Sequence, residues 1–136
     1  MKKKRNLVIT LVIAAAVAAA IFAAKPERRV ERYVAKHKDT IEHSLENGLG
    51  ISSSVRAKYF NTWEGEHYMT EFILFTWGDN YYGCYYSPDD VPLAFQNTEV
   101  ELTQGENGYW IWHGEGDNQG ETYRIEENWY YFKATF

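Results

Sequence analysis

Between Leu7 and Ala24 every residue except Thr10 is apolar, and no charge interrupts the run. As an α-helix it rises about 27 Å, close to the roughly 30 Å hydrocarbon thickness of a bilayer. A basic tail, Lys2, Lys3, Lys4 and Arg5, precedes it. Such a tail also introduces secretory signal peptides, and Ala18-x-Ala20 offers the small residues that cleavage requires. The apolar run is longer than the roughly 7 to 15 residues of a signal peptide, which favours retention. The expected order is a cytoplasmic tail over 1–6, a transmembrane anchor or uncleaved signal over 7–24, and an extracytoplasmic domain over 25–136. Secretion after cleavage is the alternative. Lys25, Arg28, Arg29 and Arg32 weaken the charge asymmetry, so the orientation rests on the difficulty of moving a short, fourfold positive tail across the membrane.

Lys25-Pro26 interrupts this helix, because proline lacks an amide donor and constrains the residue before it, yet Pro26 can open the next helix. From Glu27 onward Val30, Tyr33, Val34, His37, Ile41, Leu45 and Leu49 recur at steps of three and four, the stripe of an amphipathic helix. Asn47-Gly48 marks its end. Glu31, Arg32, Lys36, Lys38, Asp39, Glu42 and Glu46 fall on the opposite, wet side. The stripe fits packing on a sheet, and the basic first half would also suit anionic headgroups.

Beyond Gly50 the period shortens to two. Val100 and Leu102 alternate with Glu99, Glu101 and Thr103, and Tyr123 and Ile125 with Thr122, Arg124 and Glu126. Tyr68 to Trp77 is apolar on both parities, as in a strand covered on two sides. Ile51 to Phe60, Tyr81 to Tyr86, Tyr109 to Trp112 and Trp129 to Phe136 are further strands, separated by Gly-, Asn- and Asp-rich turns too short for crossover helices. The expected fold is α+β: one amphipathic helix packed on an antiparallel β-meander of five to seven strands, preceded by a single transmembrane helix.

Charge divides the chain. Lys25 to Lys58 holds 8 basic and 5 acidic residues, whereas Tyr59 to Phe136 holds 14 acidic and 2 basic ones. That acidic stretch repels phosphate backbones, so no nucleic acid is expected as a partner, and basic partners would be attracted. The single cysteine, Cys84, permits no internal disulfide and suits a small buried residue.

Few residues suggest chemistry. Glu115, Asp117, Gln119 and Glu121 alternate up to Glu126 in an echo of a calcium loop, but without the initial Asp and between strands instead of helices. His37, His43, His67 and His113 lack metal-ligand spacing. His113 with Glu115, or Asp89 with Asp90, would be acid and base pairs indistinguishable from chance, and Ser87-Pro88-Asp89-Asp90 reads as a turn. No catalytic residue, metal ligand or cofactor is assigned.

Aromatics carry more. Of 23 aromatic residues, 21 lie from Tyr59 onward. Adjacent aromatics on a strand point to opposite faces, so one core cannot absorb Tyr81-Tyr82, Tyr85-Tyr86 and Trp129-Tyr130. If a helix covers one face, Trp63, Trp77, Tyr82, Tyr86, Trp110, Trp112, Trp129 and Tyr131 are candidates for a binding surface on the other. Packing of the rings on one another or under loops is the competing account.

The segments YYGCYYSPDDVPLAFQ, Tyr81 to Gln96, and GDNQGETYRIEENWYYFKATF at the C-terminal end resemble small exported or membrane-anchored proteins of Clostridia-like Gram-positive bacteria. The resemblance implies an extracytoplasmic location and carries no activity, cofactor or site. The functional expectation is a membrane-anchored interaction module, held to the bilayer through residues 7–24, that binds a protein or cell-envelope ligand. A small envelope-acting hydrolase or metal-dependent enzyme, and an inhibitor or immunity-type protein, are the alternatives.

Overall fold

A computed structural model describes all 136 residues as two helices and one sheet of seven antiparallel strands. Helix α1, Lys2–Ala23, buries none of its residues against the rest of the chain. It is long and apolar enough to cross a membrane. After a break at Ala24 and Lys25, helix α2, Pro26–Glu46, starts with Pro26 in its first turn. It ends at Asn47, followed by Gly48 with φ +61°.

The predicted stripe of α2 faces the sheet: Val30, Val34 and Ile41 are fully buried. Each contributes about 2 kcal/mol of apolar burial. Leu49, carried past the turn at Gly48, is instead exposed. The polar side is less wet than its composition implies. The Tyr123 hydroxyl donates to Glu31 Oε1 at 2.7 Å and the Trp129 indole to Glu42 Oε1 at 2.7 Å. Lys38 pairs with Glu126 at 2.6 Å. These residues flank the apolar stripe closely enough to reach the sheet, and they fix the helix along it.

The strands are β1 Tyr59–Trp63, β2 Met69–Trp77, β3 Asn80–Tyr86, β4 Thr103–Gln104, β5 Tyr109–His113, β6 Gln119–Glu126 and β7 Trp129–Thr135. Their order across the sheet is β1-β2-β3-β7-β6-β5-β4. Two hairpin-linked runs, β1 to β3 and β4 to β7, thus meet where β3 pairs with β7. Residues 87–102 cross from one run to the other. As its two-sided apolar pattern predicts, β2 sends Phe72 to the helix side and Met69 and Ile73 to the other. Opposite Gly83 the register shifts between Ile73 and Phe75, so both Leu74 and Phe75 pack on the helix side.

Two expected strands differ. Over Ile51 to Phe60 a 3₁₀ turn, Ser53–Val55, comes first, and pairing begins only at Tyr59. The Ser52 hydroxyl accepts the Ser54 amide at 3.2 Å, the local competition by which serines displace ladder bonds. Ile51 and Val55, four apart, then pack together against the helix-side core. Around Val100 and Leu102 only Thr103–Gln104 pairs with another strand. The alternation there still records half-burial, since both apolar residues pack on the sheet without a ladder beneath them.

Both faces of the sheet are covered. Helix α2 covers one, over Phe72, Tyr82, Cys84, Trp129 and Tyr131. The crossover covers the other, where Ala94 and Phe95 bury against Met69, Tyr85, Tyr130 and Phe132. A chain of hydrogen bonds ties that crossover down. The Leu93 amide donates to the Tyr85 hydroxyl at 2.9 Å, Tyr85 to Thr122 Oγ1 at 2.8 Å, and Thr122 to the Tyr131 carbonyl at 2.6 Å. Tyr85 stacks on Tyr130 with centroids 5.2 Å apart.

Gly83 permits this sheet to close at the bulge. A Cβ there would lie 1.9 Å from the Phe72 carbonyl oxygen and 2.8 Å from the Phe132 ring. Gly83→Ala is therefore expected to cost about 3 kcal/mol in a urea unfolding experiment, because backbone must move to admit the methyl. An unchanged midpoint would mean that β2 and β3 do not approach as described.

Candidate functional site

The eight aromatics expected to form one surface are divided among both cores and the exterior. Tyr82, Trp129 and Tyr131 are buried beneath α2, and Tyr86 is half-buried edge-on to Trp129. Trp112 is buried on the opposite face, where Gly120 leaves room for its ring; a Cβ at Gly120 would stand 2.5 Å from it. Trp63 and Trp110 are half-buried on that same face. Trp77, at the tip of the β2–β3 hairpin, is 73% exposed and stands alone. Helix α2 covers Tyr82, Trp129 and Tyr131 and the crossover face encloses Trp112, so these four are core residues with no surface to offer a ligand.

The acid and base pairs also separate. Asp89 points to His67, whose Nδ1 lies 2.8 Å from Oδ2. Asp90 turns the other way. Its carboxylate accepts from Arg124 Nε at 3.1 Å, Arg124 Nη2 at 2.8 Å and the Asn128 amide at 2.9 Å. Hydrogen bonding to Arg124 holds Asp90 well below the usual carboxylate range, at about 2. With its oxygens occupied in this way, Asp90 braces the β6–β7 turn and offers no base. Ser87 completes that brace by donating to the Val91 carbonyl and accepting the Val91 amide.

No hydrogen bond joins His113 to Glu115, and both side chains are exposed. The calcium-like spacing fails for a geometric reason. Glu115 and Asp117 lie in the β5–β6 turn, whereas Gln119 to Glu126 is a strand, which carries Glu126 about 23 Å from Gln119. The four histidines are dispersed over three parts of the fold: His37 and His43 on α2, His67 between β1 and β2, and His113 on β5.

The side chain that stands out is Glu71. It is only 3% exposed, on the crossover-covered face of β2. The register places Asn61 directly opposite it, so Tyr59, Asn61 and Trp63 of β1 share its face. These residues, with Phe60, Ile73 and Gln96, line a cavity of about 220 Å³ opening at the β1 edge. Gln96 closes one side because it and Asn97 both take positive φ, +55° and +53°, turning the crossover inward. The Gln96 amide donates to Glu71 Oε2 at 2.8 Å.

Burial in these apolar surroundings pushes the Glu71 carboxyl up to about 7, only partly opposed by the Gln96 amide and the nearby Trp63 indole. Trp63 Nε1 is itself buried and makes no hydrogen bond of good geometry. A carboxyl supplied with so few donors is poised between its neutral and charged forms. Beyond Trp63 a second groove of about 570 Å³ passes Glu64, Glu66, Glu99 and Glu101, so acidic surface continues from the same corner.

Sequence reasoning assigned Trp63 to a binding surface but missed Glu71, Tyr59 and Phe60. Tyr59 and Phe60, 63% and 49% exposed, fell inside the expected strand over Ile51 to Phe60, where nothing distinguished them. Glu71 carried one signal: it is the lone acid in the otherwise uncharged stretch Tyr68 to Trp77.

Because the folded carboxyl keeps its proton to a higher pH than the unfolded one, the folded state holds an extra proton between about pH 4.5 and 7. Stability from this group is therefore present below that window and is lost as pH rises through it, by about 3 kcal/mol. Glu71→Gln, which keeps the acceptor for Gln96, is expected to abolish that slope when urea stability of variant and wild type is compared from pH 4.5 to 8. Parallel curves would show that Glu71 is not buried as described.

The chain matches no family model, no curated protein and no solved structure.

Proposed function

We propose that the chain is a membrane-anchored, extracytoplasmic binding module, and that its protein or cell-envelope ligand docks along the open edge of β1. The observation that carries the reading is the combination at that edge. β1 pairs with β2 alone, four of its five residues are exposed, and the Glu71 cavity opens beside it. An open edge presents unpaired backbone donors and acceptors that an extended segment can complete, with side-chain pockets supplying selectivity. Proteins usually blunt such an edge with charge or proline, and Tyr-Phe-Asn-Thr-Trp contains neither.

Location is read from α1. An apolar helix of 22 residues with no buried position has no partner within the chain, and a bilayer supplies one. Retention of α1 would hold the domain at the outer face of the cell membrane, where envelope ligands are concentrated.

Full-length protein with a C-terminal tag tests both parts. The tag is expected to pellet with membranes and to be removed by protease added to cells with the wall digested but the membrane intact. A photoreactive residue at position 60 is expected to give a discrete adduct that a control at the exposed position Ile111 on β5 does not. Release of the chain into the medium would overturn anchoring. Equal labelling at both positions, or labelling at neither, would overturn the docking edge.

A further inference from the structure

We infer that the cavity at Glu71 is a subsite for an organic cation, the ammonium or guanidinium end of an alkyl chain. The inference deepens the proposed β1 docking site and rests on that reading for its source of ligand. Glu71 is almost wholly buried, yet the Gln96 amide is the one hydrogen bond of good geometry given to its carboxylate. A carboxylate removed from water needs further donors, and a cation provides several together with the opposite charge.

The remaining lining suits the rest of such a ligand. Tyr59 and Trp63 offer ring surface for a cation and its methylenes, and Ile73 offers apolar contact. About 220 Å³ is far more than one water requires and accommodates a butyl chain with its charged head. The field outside favours the same sign. From Tyr59 to Phe136 acids outnumber bases by 14 to 2, Glu64 and Glu66 lie just beyond Trp63, and Lys58 beside Tyr59 donates to Thr76 Oγ1 at 3.3 Å. Cations are thereby concentrated near the mouth and anions are repelled.

A lysine or arginine side chain of an added strand and a free alkylamine share this chemistry. A docked strand would send alternate side chains toward the Glu71 face, so one basic residue would suffice to occupy the cavity.

Calorimetry on the full chain in detergent, with defined probes, distinguishes the sources. n-Butylammonium and n-butylguanidinium are expected to bind saturably, with n-butanol and butyrate at least tenfold weaker. Glu71→Gln, verified as folded by circular dichroism and its urea midpoint, is expected to weaken the cations at least tenfold. Affinity for n-butylguanidinium, which stays charged throughout, should rise about tenfold from pH 6 to 8 as Glu71 ionises. An acetylated, amidated Val-Thr-Lys-Val-Thr-Val peptide should bind more tightly than the free amine, and N-methylation of its alternate amides should remove that advantage.

Equal binding of the neutral and anionic isosteres, or undiminished cation binding by folded Glu71→Gln, would overturn the cation subsite. Failure of every cation to bind at 10-fold molar excess over millimolar protein would do the same. Cation binding with no advantage for the peptide would leave the subsite standing and remove strand docking along β1.

Discussion

The buried hydroxyl of Tyr85 joins three parts of the molecule. It accepts from Leu93 in the crossover and donates to Thr122 on β6, which in turn donates to the backbone of β7. Each group in this relay has its partner away from water, the arrangement in which such bonds reinforce one another and in which loss of one member strands the next. Because the relay holds residues 87–102 down on the sheet, the second face becomes a core. Without the crossover, Met69, Tyr130, Phe132 and Trp112 would lose their cover. The position of everything at the β1 edge follows, since Gln96 approaches Glu71 only when the crossover lies flat.

Covering both faces leaves the edges as the surfaces where the sheet can still interact. At the far edge β4 has two residues, and at the near edge β1 has five with exposed rings. The two sides of the near edge are unlike. Phe60 stacks toward Phe72 and the helix, with ring centroids 6.2 Å apart, while Tyr59 and Trp63 share the face of Glu71. A segment added there would therefore meet an apolar strip on one side and an acidic, aromatic cavity on the other. That asymmetry would select both the register and the chemical character of what binds.

Much of the architecture was legible in the chain because it depends on local period. The 3.6-residue stripe of α2 and the alternation of β6 and β7 are strong signals that tertiary packing had no reason to override. The same alternation at Val100 and Leu102 reports burial correctly but not pairing, since period records which side is apolar and not whether a neighbouring strand is present. Cover on the second face was illegible for a related reason. The crossover draws on Leu93, Ala94, Phe95, Val100 and Leu102, scattered over ten residues without helical or strand spacing. The expected aromatic surface fails for two reasons: Trp129 and Tyr131 lie on the face that α2 covers, and Trp112 lies on a second face that is covered as well. Glu71 illustrates the converse, since an acid within an apolar strand signals a special position but not the loop that will enclose it.

The account depends on Glu71 lying enclosed between β1, the crossover and the sheet. A carbon-13 titration of its side-chain carboxyl in the full-length protein measures that enclosure directly. The midpoint is expected near 7, raised by burial, with the Gln96 amide resonance moving through the same pH range because its proton rests on that carboxylate. A midpoint in the ordinary carboxylate range, with the Gln96 amide unmoved, would mean that water reaches Glu71 freely and that the covered face and its cavity do not exist.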